Sequence, residues 1–393
     1  MPSISRRHYL SALATIPLSG VAGCQQNSCP PADPGTATWP QYRRGSRNTN
    51  AAAEQPTLNS PDSYWATDLG DSTDVSAVSA TGNTVLVAGE SSEMDPGIIS
   101  TLGLSAGERD TSHALSRAPT GQPALVDSLA VTPVLGSYDD PATGGVVAIS
   151  LDSWTESWTH ELDGRPNPPT HADDAVVVSS DAGEVSLLES SSGDATWTRR
   201  FGDTRQDGAI PASPAVDETR VYVTVSGSAA QGLYALDRES GDTVWAIPGP
   251  DIPNPPVRTG GVVLGSYREH ELAAFDAETG ESQWSQAMHG GRVFPPAVGA
   301  DRIFSADEET VYALGLDGGE TDWEADVSVA GAPLVVGDCV FVPVQDGLVG
   351  LAVSDGAQRW RVSLSPDTAC VPVEGGFLFG EGSSVTLQTD ADC

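Results

Sequence analysis

Short apolar runs rich in Val, Leu, Ala and Tyr recur along most of the chain, separated by Gly, Pro, Asp and Asn. Ala175-Val176-Val177-Val178, Tyr234-Ala235-Leu236 and Gly261-Val262-Val263-Leu264 represent them. Runs this brief, bounded by turn residues, predict strands rather than helices. Five stretches superimpose with a Gly four residues before a Trp: Gly193 and Trp197, Gly241 and Trp245, Gly280 and Trp284, Gly319 and Trp323, Gly356 and Trp360. An apolar strand precedes each Gly, and polar residues suited to a tight turn lie between Gly and Trp. The unit therefore begins as strand, hairpin turn, Trp strand.

After each Trp the chain reaches a Pro-rich point, such as Pro166-Asn167-Pro168-Pro169 after Trp158 or Pro253-Asn254-Pro255-Pro256 after Trp245, and two further strands follow. Four short strands in roughly 39 residues is the length of one propeller blade. Two units are degenerate: Gly107 is paired with Thr111 instead of Trp, and Trp154 takes the Gly position before Trp158. The segment after Trp360 supplies three strands but no Trp strand, and Tyr64-Trp65-Ala66-Thr67 is the strand left over. Pairing the two closes the ring and leaves no open edge. The expected fold is an all-β propeller of eight four-stranded antiparallel blades occupying residues 61–393, or of seven if the Gly107 unit is not a blade.

The N-terminus has a different character. Arg6 and Arg7 precede an apolar stretch, Leu10 to Ala22, that ends at Val21-Ala22-Gly23-Cys24. At about 13 residues the stretch is too short to span a bilayer and reads as an export signal over residues 1–23. The arginine pair resembles a twin-arginine signal, and the ending resembles a lipobox in which Cys24 is lipidated. Residues 24–38 have the composition of a flexible tether, and residues 39–60 form a lead-in segment before the repeats. Four cysteines then remain, and an even number in an exported chain predicts two disulfides, Cys29–Cys393 and Cys339–Cys370 among three possible connectivities.

Charge narrows the partners. The chain carries 54 Asp and Glu against 19 basic residues, no lysine, and a formal charge of -35. Such a surface repels phosphate, which excludes nucleic acid, and it does not target anionic membranes, so membrane contact is expected through the lipid anchor only. In molar salt the screening length falls to roughly 3 Å and the self-repulsion largely disappears. The composition therefore points to a salt-loving host.

The recurring strand, Asp, turn, Gly, three residues and Trp resembles the repeat shared by pyrroloquinoline-quinone (PQQ)-dependent dehydrogenases and BamB, the lipoprotein propeller of the outer-membrane assembly machinery. The resemblance covers roughly residues 60–390. Trp39-Pro40-Gln41-Tyr42-Arg43 is further similar to the opening of such repeat proteins from salt-loving archaea. It implies a propeller whose blade-to-blade connections and second-to-third-strand loops surround one mouth of a central channel. Arg165, Arg205 and Arg292 fall in those connections, and with Phe294 they form a candidate contact set for a peptide or acidic partner.

Chemistry is sparse. There is no Cys-Cys pair of the kind that accompanies the quinone in the resembled dehydrogenases, no Gly-x-Ser-x-Gly, and no ligand-like spacing among the histidines. The acidic turn Asp276-Ala277-Glu278-Thr279-Gly280-Glu281 lacks the EF-hand pattern and suits a hairpin. No catalytic, cofactor-binding or metal residue is expected. The sequence points to a monomeric, non-enzymatic scaffold for protein or cell-envelope partners, lipid-anchored on the outer face of the cell membrane. The alternatives are a PQQ-dependent dehydrogenase and a solute-binding or sensory ectodomain.

Overall fold

The computed structural model describes residues 34–52, 58–70, 73–91, 97–137, 140–202, 204–249, 251–267 and 270–390. The predicted signal with Arg6 and Arg7, Cys24, Cys29 and Cys393 lie outside them. What is described is all-β apart from a single helical turn, Arg205–Gly208.

One sheet illustrates the rest. Thr170–Ala172, Ala175–Ser179, Glu184–Glu189 and Ala195–Arg200 pair in chain order, each antiparallel to the next. The second strand is buried at every position, whereas the fourth alternates between exposed and half-buried. This explains the unbroken apolar run Val176-Val177-Val178, which is covered on both faces by neighbouring sheets; the outermost strand meets solvent. Four-stranded sheets of the same order start at Ala124, Ala215, Val257 and Phe294. A fifth copy starting at Leu334 gains Ala51–Ala52 as a parallel edge.

The remaining sheet joins the two ends of the chain. Its nine strands include Val371–Val373, Gly376–Glu381 and Ser384–Asp390, with Pro61–Asp68 antiparallel to the last of these. Trp65 faces Leu387 in that register, as the unpaired Trp strand predicts. Ala37–Trp39 then bridges Val371–Val373 to Thr73–Gly82, which leads the degenerate Gly107 unit. Ala37 is buried within that bridge, so the tether expected to run to residue 38 has ended by this point.

The Gly and Trp of the repeat contact each other between units, not within one. Gly241 has φ of +73°, and a Cβ there would lie 2.7 Å from the indole of Trp197 in the preceding sheet. The same relation holds for Gly107 on Trp65, Gly193 on Trp158, Gly280 on Trp245, Gly319 on Trp284 and Gly356 on Trp323. Each ring thus lies flat on a side-chain-free turn. The indole N–H of Trp197 donates to the Arg238 carbonyl at 2.8 Å, three residues before Gly241, and those of Trp65, Trp158, Trp245 and Trp323 make the equivalent bond.

The degenerate units obey the same rule. Trp154 holds the Gly position with φ of +56°. The residue in the Trp position one unit earlier is Thr111, so no indole is there to exclude a side chain. Trp360 has no following Gly turn, and its N–H donates to the Leu58 carbonyl at 2.8 Å, just ahead of the strand that closes the ring.

Candidate functional site

Residues 37–52 run along the innermost strands of successive sheets. The carbonyls of Pro40, Ser46, Arg47, Thr49 and Asn50 accept from the backbone N–H groups of Leu125, Val216, Arg258, Val298 and Val335, each in the first strand of its sheet or at the head of it. Gln41 makes a two-way contact with the backbone of His171, in the sheet between the first two of these. One or two residues therefore serve each sheet in turn. A path this tight needs unusual backbone: Arg43, Arg44, Asn48 and Asn50 all have φ between +52° and +73°, a region that costs non-glycine residues about 1–3 kcal/mol each.

Side chains secure the path. Asn48 Nδ2 lies 3.1–3.2 Å from the carbonyls of Ser213, Pro214 and Pro256, and Asn50 Nδ2 donates to Pro333 at 2.6 Å. Arg43, 3% exposed, donates through Nε to Asn48 and through Nη2 to the Pro296 carbonyl. Burial drives its pKa down to about 10, with Tyr42 opposing the shift. No carboxylate among the described residues pairs with it.

Beside this segment a cavity of about 580 Å³ is lined by Trp39, Tyr42, Arg43, Asn50 and Gln122 and by residues 330–334, 343–348 and 365–370. These last are blade-to-blade connections and a second-to-third-strand hairpin, so the cavity belongs to the face that the sequence reading singled out. The residues that reading chose lie elsewhere on that face. Arg165 is exposed, its backbone N–H donating to Asp181 and its guanidinium to the Thr120 carbonyl at 3.4 Å. Arg205 opens the helical turn Arg205–Gly208. Arg292 is exposed and stacks over the Phe294 ring at 5.3 Å.

Two expectations are corrected. Phe294 is not a contact residue: it is 6% exposed and belongs to an apolar cluster with Phe304, Val311 and Val335, because it starts an inner strand. Cys339 and Cys370 share another cluster with Phe341 and Phe377, but both remain thiols there. They fill the space between adjacent sheets as small apolar groups. Burial pushes each pKa up to about 12, so neither is a thiolate.

The buried acids are committed to the fold. Asp307 accepts from the backbone N–H groups of His289, Gly290, Glu309 and Thr310 and from the Tyr312 hydroxyl. Burial raises its pKa, but these donors outweigh that and hold it below the ordinary value. Asp217 is held likewise against burial by Thr219, Arg258 and Tyr222. The Asp276 carboxylate caps its own hairpin through Glu278 and Thr279, as a turn residue should. Neither buried aspartate is placed to exchange a proton near neutral pH.

Arg43 and Gln122 are what sequence reasoning missed. Gln122 is 7% exposed, lines the cavity, and has an amide Nε2 without a hydrogen-bond partner. Arg43 precedes the repeats, and Gln122 stands at the position before the repeat proline where residue type varies from unit to unit, so no recurring residue marks either.

The sequence profile of a family described as outer membrane protein assembly factor BamB matches residues 140–266 and 268–376, more than half of the chain. A curated relative of that name from Burkholderia pseudomallei (strain K96243) is 26% identical over 247 residues, which is 56% of this chain and 62% of the relative. The chain thus spans about three fifths of that relative's length. Among solved structures, BamB from Moraxella catarrhalis superimposes with a TM-score of 0.64 at 19% identity, covering 84% of this chain and 99% of that one. Quinohemoprotein alcohol dehydrogenase from Comamonas testosteroni gives 0.67 at 11% identity, covering 93% and 81%. Both likenesses establish the β-propeller fold.

Proposed function

Since the chain belongs to the family of outer membrane protein assembly factor BamB, we propose that it is a non-enzymatic β-propeller scaffold that binds protein or cell-envelope partners. The observation that carries this reading is the lead-in segment, whose residues 40–50 bond to the first strands of six successive sheets and tie the ring into one rigid body. The segment serves rigidity, and the protein-binding surface is the connection face around it.

Eight blades is the count we favour. The nine-stranded sheet divides at Ala37–Trp39 into two quartets, and the Gly107 unit pairs its four strands like the others. The reading also includes export through Arg6 and Arg7, lipidation at Cys24, and residence of a monomer on the outer face of the membrane of a salt-loving archaeon. In such a host the partner differs from that of the bacterial relatives. A Cys29–Cys393 bridge would pin the tether to the last blade. Arg165, Arg205 and Arg292 supply cations on the connection face of a strongly acidic surface, where they would select acidic partner segments.

The test is affinity capture from solubilised native membranes at high salt, comparing wild type with the triple variant Arg165→Ser, Arg205→Ser, Arg292→Ser. A partner held by wild type and lost from the variant is expected. Saturable quinone binding with calcium-dependent, dye-linked alcohol or sugar oxidation would overturn the scaffold reading.

A further inference from the structure

We propose that the cavity beside the axial segment is a binding site for a small organic monocarboxylate with an apolar body. Four observations converge on that chemistry. First, the volume of about 580 Å³ lies within the range of small-molecule sites. Second, Arg43 is a buried cation that donates to two backbone carbonyls and pairs with no carboxylate among the described residues. Arg117, Arg238, Arg258, Arg302 and Arg359, which are less deeply buried, are by contrast ion-paired. A buried charge without a counter-charge is costly, and an anionic ligand would offset that cost.

Third, Gln122 contributes a second buried donor, Nε2, that lacks a partner in the fold. A carboxylate offers two acceptor oxygens and could satisfy both groups, forming charge-assisted bonds to the arginine. Fourth, the wall is otherwise largely apolar, with Trp39, Leu334, Pro343, Leu348 and Pro366. That wall suits an aromatic or branched body. Asp367 stands exposed among the lining residues, its Oδ2 accepting from the Gly382 N–H at 2.7 Å. A fixed negative charge there disfavours a second ligand charge, so the site selects monoanions over polyanions.

The site requires neither a protein partner nor the rim arginines, so it stands or falls separately from the scaffold reading. The experiment is calorimetric titration of the full folded chain, at the salt concentration that keeps it folded, with phenylacetate, phenylacetamide, acetate and phenylsuccinate. Phenylacetate should bind saturably and at least about tenfold more tightly than each of the other three, a gap of about 1.4 kcal/mol. Gln122→Leu should weaken phenylacetate about tenfold without lowering the melting temperature, since no bond in the fold is lost. Arg43→Gln should abolish binding, and if that variant does not fold, the Gln122→Leu comparison carries the test. No heat from phenylacetate, or equal affinity for phenylacetate and phenylacetamide, would overturn the proposal. Equal affinity for phenylacetate and acetate would show that the pocket reads the carboxylate alone and not an apolar body, which also overturns it.

Discussion

Alanine at Gly241 is expected to lower the stability of the fold by about 3–4 kcal/mol, and most of that loss should vanish when Trp197 is absent. Two costs combine. The φ of +73° penalises any Cβ by about 1–2 kcal/mol, and the added carbon would sit 2.7 Å from the Trp197 ring, an overlap that costs a further 1–3 kcal/mol or so. Trp197→Ala alone should cost about 3 kcal/mol, the low end for such a truncation because the ring is only half-buried. In that background Gly241→Ala should cost only the backbone penalty. Urea unfolding of the four proteins gives the coupling directly, and about 2 kcal/mol is expected. Additive losses would show that the indole and the turn do not bear on each other.

The second large effect concerns the axis. Asn48→Ala should cost about 3 kcal/mol, because one side chain serves carbonyls from two neighbouring connections. Removing it leaves the Ser213 and Pro256 carbonyls without this donor, while the Pro214 carbonyl keeps Thr170 Oγ1, and a single unsatisfied group of this kind is worth about 1–3 kcal/mol. Alanine also inherits the left-handed backbone at φ +57°, which asparagine tolerates better than most residues. A thermal melt in high salt reads the loss. A change below about 0.5 kcal/mol, the range of an ordinary surface substitution, would mean that the segment merely lies in the channel without holding the sheets.

The repeat was legible because its signals are local and recur. Gly and Trp four residues apart mark each hairpin, and even the exceptions follow from packing: Thr111 carries no ring, so Trp154 is permitted where glycine otherwise stands. The closing strand was legible by elimination, since Trp65 was the one Trp strand without a sheet and Ser384–Asp390 needed a neighbour. The axial segment was not. Its hold on the ring comes from single residues, Arg43, Asn48 and Asn50, in backbone conformations that no composition or period announces. The cavity escaped for a related reason: its wall is assembled from the lead-in segment, the connection at Gln122 and loops more than 200 residues later in the chain. Phe294 was misread because Arg292 and the following prolines resemble an exposed loop, whereas the strand they enter is the innermost one of its sheet.

Hydrogen exchange on the native protein tests most directly whether the chain's two ends lock the ring. The amides of residues 62–68 that pair with residues 384–390, together with those of Leu125, Val216, Arg258, Val298 and Val335 that face the axial segment, should be protected as strongly as the matching amides of the other sheets' fourth and first strands and should open with them. If residues 61–68 exchange freely while the other strands stay protected, the ring is not closed by this strand and the account is wrong.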